Sequence, residues 1–453
     1  MKPLKIGISG VRGIVGETFT PELIVGFAQA FGTYLDSGSI LVCRDTRPSG
    51  PMVAASVFAG LLASGCRVID LGVCPTPSMQ LAVPRLGAQG GISITAGHNP
   101  AGWNALKFVR PDGLYLNETQ AEELLDIFHQ GEFEKADWRR IATAIETDDG
   151  IGLHIERLVA AFDADAIRAR RFKVAVDCCN GACSRLTPPL LRALGCEVWA
   201  INDDPGMPFP HTPEPRLDTM AQAAAVVKAG RADIGFVHDS DGERLGLVDE
   251  SGEPLPEELT LPLAEDLMLG SGARGPVVTN ISTTNAVDRV AKRYGASVVR
   301  TPVGQAYISE AIVEHQAAIG GEGNGSVAIP SIHPTHDAAA TIVFVLEHLA
   351  RKGTPLSALV SSLPRLTMVK EQVSVEPHLI YSALQAFRDA VPESGGDVLE
   401  LADGIKVEWP DAWVHVRASN TESIIRIIAE AETAPRARDL VDWARDRVPA
   451  AKL

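Results

Sequence analysis

The strongest constraint on the fold is an alternation of short apolar segments with helical segments, which recurs through most of the chain. In the first round, strands are predicted at residues 40–43, 68–71 and 91–94, with helices between them. The pattern restarts at residues 173–176 and again at residues 276–279. Such alternation is typical of βαβ units around a largely parallel sheet. Each round ends in a strand that runs into a glycine-rich or acidic loop, and ligands of open α/β sheets bind at the carboxyl ends of strands.

The last part of the chain has a different order of elements. Residues 413–417 and 424–430 are predicted strands around a polar turn, and residues 436–445 form the predicted closing helix. This order favours an α+β domain with an antiparallel sheet. A chain of 453 residues is too long for one hydrophobic core. We therefore expect three similar α/β domains with mixed, largely parallel sheets and a C-terminal α+β domain, bounded at 1–149, 150–252, 253–365 and 366–453.

Charge and composition exclude several classes of protein. The formal net charge of -16 argues against a nucleic-acid binder, because such proteins carry a basic field. No apolar run approaches the roughly 20 residues that cross a bilayer, and the first residues lack the apolar stretch of a signal peptide. The seven cysteines include one loose cluster, Cys178, Cys179 and Cys183, which favours buried, reduced thiols over a zinc site. We expect a cytoplasmic protein with no membrane or nucleic-acid partner.

The first candidate loop covers residues 95–100, with Asn104 and Lys107 following it. A turn of small residues at a strand end presents backbone N–H groups to a phosphate. His98 and Lys107 are suited to proton transfer and to pairing with an anion. The alternative is an ordinary tight turn with a surface histidine.

The second candidate loop carries Asp239, Asp241, Glu243 and Arg244. Carboxylates at alternate positions of a turn converge on a hard cation such as Mg²⁺. The adjacent arginine suits a phosphate oxygen. The pattern favours a magnesium site over its alternative, a solvated acidic turn.

The third candidate loop, residues 320–326, places Glu322 and Asn324 in a glycine-rich frame. One carboxylate and one amide provide the acceptors and donors that sugar hydroxyls need. A simple hairpin turn explains the same residues equally well.

The fourth candidate loop begins at Arg417 and continues towards Arg426. Two hydroxyl groups and an amide lie between these arginines, on Ser419, Thr421 and Asn420. This set of donors describes a clamp for a phosphate that does not react. The alternative is a β-turn whose polar side chains bond their own backbone.

The four loops, in this order and at this spacing, resemble those of the α-D-phosphohexomutases, a family of phosphoglucomutases, phosphomannomutases and phosphoglucosamine mutases. The resemblance covers nearly the whole chain and includes five sequence motifs. They are SGVRG at 9–13, RDTRPSG at 44–50, N-x-x-K-F at 104–108, FP…PEP at 209–215 and RASNTE at 417–422. The Glu-x-Asn-Gly pattern at Glu322 is similar to that of archaeal-type members.

The resemblance implies a fold of four domains around a central cleft, in a monomer or homodimer. It also implies a reaction: a phosphoserine exchanges phosphoryl groups with O6 and O1 of a hexose through a sugar bisphosphate, with Mg²⁺ bound beside it. The implied partners are hexose phosphates and hexose bisphosphates, with glucosamine, mannose or glucose as the sugar. The catalytic positions carried over are Gly97, His98, Lys107, Arg12 and Arg244.

Three residues depart from the family pattern. Gly97 stands at the position of the serine, Glu243 at that of the third metal-binding aspartate, and Asn324 at that of a frequent serine. Glycine has no group that accepts a phosphoryl. Three hypotheses therefore stay open. The first is a mutase that uses His98, Ser93 or Thr95 instead. The second is a non-catalytic sugar-phosphate-binding or regulatory protein, or an inactivated variant, and the third is a metal-dependent sugar phosphatase.

Overall fold

The computed structural model describes residues 4–7, 10–141, 145–401, 403–418 and 424–448, which form four sheets. The first sheet has the strand order β1-β2-β6-β5-β3-β4-β7. Its strands are β1 (Leu4–Gly7), β2 (Gly10–Ile14), β3 (Ser39–Arg44), β4 (Arg67–Val73), β5 (Gly90–Ile94), β6 (Trp103–Val109) and β7 (Glu146–Thr147). Its helices are α1 (Pro21–Tyr34), α2 (Gly50–Ala63), α3 (Thr76–Arg85) and α4 (Glu118–Gln130). Strands β5, β3, β4 and β7 are parallel, whereas β1, β2 and β6 pair antiparallel.

Local sequence explains where these helices begin and end. In α4, Asn117 and Gln120 form a reciprocal capping box, and Gly131 ends the helix in a left-handed conformation. Helices α1 and α2 bury apolar faces, including Phe27 and Phe31, in a core against the sheet. This core fixes the strands whose ends carry the first candidate loop.

The second and third sheets share one topology. The second, ordered β11-β10-β8-β9, contains β8 (Lys173–Asp177), β9 (Glu197–Ile201), β10 (Ile234–His238) and β11 (Leu245–Val248). The third, ordered β13-β12-β14-β15, contains β12 (Val277–Asn280), β13 (Val298–Thr301), β14 (Ile319–Glu322) and β15 (Ser326–Ala328). In both, three parallel strands end in an antiparallel hairpin strand. The segment β4-β3-β5-β6 of the first sheet repeats this order, so the first three candidate loops occupy equivalent hairpins.

Further helices surround these two sheets. They are α5 (Gly150–Ala161), α6 (Ala164–Arg170), α7 (Thr187–Ala193), α8 (Ala221–Gly230), α9 (Thr260–Gly270), α10 (Ala286–Arg293), α11 (Gln305–Glu314), α12 (Ala338–Lys352) and α13 (Leu356–Ser361). One continuous apolar core joins the two sheets, and the almost fully buried α12 contributes much of it. None of the helices within the described ranges has the length and apolar character that a bilayer crossing requires.

The fourth sheet is entirely antiparallel, as the sequence predicted for an α+β domain. Its order is β16-β20-β19-β18-β17. The strands are β16 (Thr367–Ser374), β17 (Asp397–Leu401), β18 (Gly404–Trp409), β19 (Ala412–Ala418) and β20 (Ile424–Ala431), with helices α14 (Ile380–Ala390) and α15 (Ala434–Arg445). Alternating apolar residues of β19 and β20 pack against α15 in a separate core. The predicted class, three α/β domains followed by an α+β domain, is confirmed.

The seven cysteines are buried and unpaired. Burial raises the pKa of the Cys43, Cys66 and Cys196 thiols to about 12. These values describe protonated, unreactive thiols, in agreement with the prediction from the sequence.

Candidate active site

The first candidate loop, between β5 and β6, is held by one buried arginine. The two terminal nitrogens of Arg47 donate over 2.6–3.1 Å to four backbone carbonyl oxygens, those of Gly97, Asn99, Pro100 and Trp103. Its Nε donates to Oδ2 of Asp45 at 2.9 Å. All five N–H donors of the guanidinium are therefore used. The loop conformation rests on these contacts to main-chain oxygens, not on the side chain at position 97.

Gly97 lies in the left-handed region, with φ of 54°. A Cβ at this residue would lie 3.5 Å from Oδ2 and 3.6 Å from Oδ1 of Asp241, which are ordinary contact distances. The Gly97 carbonyl also accepts from the hydroxyl of Ser240 at 2.8 Å. A side chain at position 97 would therefore point at the carboxylate of the second candidate loop.

The second candidate loop, between β10 and β11, is anchored by the first residues of two helices. The N–H of Thr76, at the start of α3, donates to the Asp241 carbonyl at 3.0 Å. The N–H of Ala338, at the start of α12, donates to the Gly242 carbonyl at 3.0 Å. Because these donors belong to the first and third domains, the acidic loop lies where three domains meet.

Asp239 and Asp241 are both buried in this loop. Burial and the neighbouring charge of Asp241 raise the pKa of Asp239 well above its usual range. Burial opposes ionisation of Asp241 as well, but the ammonium of Lys107 holds the pKa of Asp241 below its usual range. Oδ1 of Asp241 has no hydrogen-bond partner among the described residues. Two adjacent buried carboxylates with an unpartnered oxygen fit a divalent cation.

Glu243 has a different environment from the two aspartates. Its Oε2 accepts from Nζ of Lys107 at 2.7 Å, and its Oε1 accepts from the hydroxyl of Tyr115. The same Nζ donates to Oδ2 of Asp241 at 2.8 Å. Lys107 lies on β6 of the first domain, so its ammonium group reaches across a domain boundary to neutralise the acidic loop. Both carboxylate oxygens of Glu243 are thus occupied by protein donors, whereas Oδ1 of Asp241 has no donor among the described residues.

His98 lies among cationic groups. Burial and the charges of Arg244 and Arg12 lower the pKa of His98 well below its usual range. Arg12, on β2, donates to Oδ1 of Asn99 at 2.5 Å, and Arg244 donates to Oε1 of Glu214 at 2.6 Å. The imidazole is therefore neutral near pH 7 and half-buried. Its surroundings are suited to an anionic ligand.

Two other hydroxyl groups, those of Ser93 and Thr95, were possible substitutes for a serine at position 97. Both are buried and hydrogen-bonded within the protein. Ser93 is 1% exposed and its hydroxyl pairs with that of Thr76 at 2.8 Å. Thr95 is fully buried and donates to Oδ2 of Asp45 at 2.7 Å. Neither hydroxyl is accessible to a phosphoryl donor in this structure.

The third candidate loop is the hairpin between β14 and β15. Glu322 is 7% exposed, and its two oxygens accept from Asn280 Nδ2 at 2.6 Å and Asn324 Nδ2 at 3.2 Å. The turn is thus a hairpin, as the simpler interpretation held, but it also presents a carboxylate fixed by two amides. Both predicted residues, Glu322 and Asn324, contact each other in it.

The fourth candidate loop lies partly outside the described residues, because Ser419, Asn420 and Thr421 are not among them. Arg417 and Arg426 are directly opposite each other on β19 and β20, and therefore share one face of the sheet. Arg417 donates to Oδ1 of Asp403 at 3.2 Å, and its Nε is buried without a partner among the described residues. Arg426 is also close enough to lower the pKa of His98. Two arginines of like charge on one face favour an anion between them.

Sequence reasoning missed several residues that shape this site. Asp45 and Arg47 belong to the RDTRPSG motif, from which no role was predicted for them. Two opposite charges beside Pro48 are nevertheless an unusual composition for a buried segment. Tyr115 and Ser240 carry no local signal, because their partners lie 128 and 143 residues away along the chain. The placement of Lys107 on an antiparallel strand also followed only from the structure.

A separate cluster of ligand-type side chains lies outside the predicted site. Among the residues that the structure describes, His154, His333 and Asp337 bring three such atoms within 4.8 Å of one another, whereas Asp239, Asp241 and Glu243 do not form a group of this kind.

Four family models cover most of the chain. They are described as phosphoglucomutase/phosphomannomutase alpha/beta/alpha domains I, II and III and the C-terminal domain. They match residues 3–135, 153–252, 256–366 and 379–446.

Similar proteins share this organisation over their full length. A phosphoglucomutase/phosphomannomutase of Thermococcus kodakarensis is 38% identical over 442 residues, 96% of each chain. A probable phosphoglucosamine mutase of Methanopyrus kandleri is 35% identical over 439 residues, again 96% of each chain. The crystal structure of a phosphoglucomutase/phosphomannomutase family protein from Burkholderia thailandensis aligns with a TM-score of 0.83 at 27% identity, covering 97% of each chain. The chain therefore belongs to the phosphoglucomutase/phosphomannomutase family.

Proposed function

We propose that this protein binds hexose phosphates and hexose bisphosphates in a hexose-phosphate mutase site whose phosphoserine position is occupied by Gly97. The observation that carries the proposal is the approach of Gly97 to Asp241. The missing side chain would point at a buried carboxylate that has an unpartnered oxygen among the described residues, with Lys107 2.8 Å from the other oxygen. This is the arrangement that a phosphoryl carrier beside a cation needs.

The other loops divide recognition of the substrate between them. Arg417 and Arg426 bind the phosphate that is not transferred, together with the donors at Ser419, Asn420 and Thr421. Glu322 accepts hydrogen bonds from sugar hydroxyls while its amide partners fix its orientation. Arg12, Arg244 and Lys107 stabilise the charge of the transferring phosphoryl group. His98, as a neutral imidazole, accepts a proton from a sugar hydroxyl.

Mg²⁺ would be held by Asp239 and Asp241, with Glu243 as the third ligand once its contact with Lys107 loosens. When bound, the ion supplies neutralisation of phosphoryl charge next to position 97. Calorimetry with Mg²⁺ checks this assignment on Asp241→Asn, with Asp112→Asn, at an exposed aspartate, as the control. Equal Mg²⁺ affinity in the two variants would remove Asp241 from the site.

With glycine at position 97, the protein should still bind hexose phosphates but should not transfer a phosphoryl group through this residue. Direct transfer through residue 97 is impossible without a side chain, whereas the clamp and the acidic loop act on charge and stay in place. We therefore expect binding of a hexose bisphosphate with very low mutase turnover. Mass spectrometry should find no phosphate on residue 97.

A second candidate function, transfer through a phosphohistidine, rests on the state of His98. Its imidazole is neutral and half-buried, whereas Ser93 and Thr95 are closed. In that reaction the bisphosphate loses a phosphoryl group to an imidazole nitrogen, and the released sugar oxygen takes a proton. His98→Gln tests it, because glutamine keeps a polar side chain but forms no phosphoramidate.

One set of measurements separates these functions. Titration calorimetry measures binding of glucose 1,6-bisphosphate, and coupled assays follow the 1-phosphates of glucose, mannose and glucosamine with Mg²⁺ and catalytic bisphosphate. Binding without turnover supports the main proposal. Turnover that His98→Gln abolishes supports the second. Failure to bind any of these ligands contradicts both.

A further inference from the structure

A cluster of two histidines and an aspartate lies next to Ala338, which anchors the acidic loop, and has no role in the proposed reaction. His154 is on α5, Asp337 caps the N-terminus of α12, and His333 is in the segment between β15 and α12. Nε2 of His154 and Nε2 of His333 lie 2.9 Å and 2.8 Å from the same atom, Oδ2 of Asp337. We infer that this cluster is a binding site for a divalent transition-metal ion that prefers imidazole ligands, with Zn²⁺ as the representative ion.

The outer contacts of the cluster match those of a metal site. Nδ1 of His154 lies 2.8 Å from the hydroxyl of Ser78, and Nδ1 of His333 lies 2.6 Å from that of Thr335. A histidine that ligates through Nε2 donates its Nδ1–H to such an acceptor, which fixes the ring. The hydroxyl groups of Ser78 and Thr335 can rotate to donate to Nδ1 or to accept from it, so they are compatible with either tautomer of the two histidines. Oδ1 of Asp337, the oxygen left over, accepts from the N–H of Ala340 at 3.0 Å. Each ligand is therefore oriented before an ion arrives.

The two distances to Oδ2 of Asp337 require only a small adjustment for an ion, and the three ligand atoms all lie within 4.8 Å of one another. Tetrahedral Zn²⁺ with bonds of about 2.0 Å places its ligand atoms roughly 3.3 Å apart. Each Nε2 would thus move about 0.5 Å from Oδ2. The side chains of His154 and Asp337 are 0% and 1% exposed, whereas that of His333 is 10% exposed. His333 also lines a cavity of about 290 Å³ together with Thr335, Gln80 and Arg157. This cavity provides the entry path and room for a water as the fourth ligand.

The chemistry of the ligands selects against Mg²⁺. Two imidazoles and one carboxylate suit Zn²⁺, Fe²⁺, Co²⁺ or Ni²⁺, whereas Mg²⁺ prefers oxygen ligands in octahedral geometry. The site joins His154 of the second domain to Asp337 and His333 of the third. Ala338, the residue after Asp337, donates to the Gly242 carbonyl of the acidic loop. An ion here is therefore structural and stabilises the junction on which that loop rests.

The test uses the full chain, freed of metal by a chelator and kept in excess Mg²⁺, titrated with Zn²⁺ in a calorimeter. We expect one equivalent to bind and the melting temperature to rise. His333→Gln keeps a hydrogen bond to Asp337 but removes a ligand, so Zn²⁺ affinity should fall at least about tenfold. His315→Gln, at an exposed histidine, is the matched control and should bind like the parent.

Co²⁺ provides a measurement on the unmutated protein. Four-coordinate Co²⁺ with imidazole ligands absorbs visible light strongly, whereas octahedral Co²⁺ bound by carboxylates and water absorbs weakly. One equivalent of strongly absorbing Co²⁺, displaced by Zn²⁺, supports the site. Absence of Zn²⁺ binding, weak Co²⁺ absorption, or unchanged affinity in His333→Gln would each overturn it. None of these outcomes bears on sugar-phosphate binding, so this proposal and the proposed function fail independently.

Discussion

Replacing Gly97 with serine tests the proposed function most directly, and the structure sets the expected cost. The added Cβ meets Asp241 at 3.5 Å and 3.6 Å, so no neighbour has to move. The backbone has φ of 54°, a conformation that costs an L-residue roughly 1–2 kcal/mol. The chain already tolerates this region at Asn180 and Asn202. Because the first domain has about 150 residues, we expect its melting temperature in Gly97→Ser to fall by roughly 2–8 °C.

We expect the serine to raise mutase activity by a large factor, in contrast to its small cost in stability. The new hydroxyl lies beside Asp241 and within the field of Lys107, where it serves as phosphoryl carrier. Removal of a nucleophile from an otherwise intact site costs at least on the order of a thousandfold in turnover, so its return should raise mutase activity by at least that factor. The coupled assays measure this, with Mg²⁺ and catalytic bisphosphate present.

Gly97→Ala is the matched control. Alanine adds the same Cβ and carries the same backbone cost, but it has no hydroxyl group. Its melting temperature should therefore match that of the serine variant, while its activity stays at the level of the parent. Mass spectrometry should find phosphate on residue 97 in the Gly97→Ser protein and not in the Gly97→Ala protein. If the serine and alanine variants were equally inactive while both bound the bisphosphate, the reasoning would be refuted, and Glu243→Asp would be the next substitution to combine with serine.

Three other substitutions test separate parts of the structure. Arg417→Ala removes a charge-assisted contact of roughly 1.5–3 kcal/mol, so the affinity for glucose 6-phosphate, measured by calorimetry, should fall about tenfold to a hundredfold. The control Arg438→Ala, at an exposed arginine, should leave this affinity unchanged. Burial raises the pKa of Glu265 from 4.5 to about 9. The folded state therefore keeps a proton that the unfolded state loses in this window, and stability falls as pH rises through it. The stability advantage of Glu265→Gln should grow with pH by up to about 1.4 kcal/mol per unit, and equal melting shifts at about pH 5.5 and about pH 8.5 would contradict this. Arg47→Lys leaves buried carbonyl oxygens without donors and should therefore destabilise the protein by about 3 kcal/mol in denaturant unfolding. An unchanged unfolding midpoint would show that the loop does not need the guanidinium.

Sequence periodicity predicted the fold well, because the signal of each strand and helix is local. Residues 40–43 and 91–94 lie within β3 and β5, and the predicted helix at 436–445 lies within α15. The hairpin strand β6 was not anticipated, since its residues take their places only by pairing with β5 and β2. The return strand β20 was predicted because its residues are mostly apolar, whereas Asn104 and Lys107 interrupt the apolar pattern of β6.

The candidate site was predicted as a set of loops but not as a set of contacts. Asp239 and Asp241 stand out in the sequence as an acidic turn. Their differing environments depend on Lys107, which lies 134 residues from Asp241 along the chain. The cluster of His154 and Asp337 spans a similar separation, 183 residues. Such contacts arise from the docking of domains, which no spacing within one segment encodes.

The contacts of Arg47 have an evolutionary consequence. Because its guanidinium binds main-chain oxygens, the frame of the loop needs no side-chain contact from residue 97. Selection for stability therefore acts on that codon only through the backbone cost of roughly 1–2 kcal/mol that any side chain carries at this φ, whereas selection for catalysis acts on the hydroxyl group itself. A glycine codon and a serine codon can differ by a single base. If the proposed function is correct, a single base change at this codon exchanges a catalytic site for a binding site at a cost of only roughly 1–2 kcal/mol in stability.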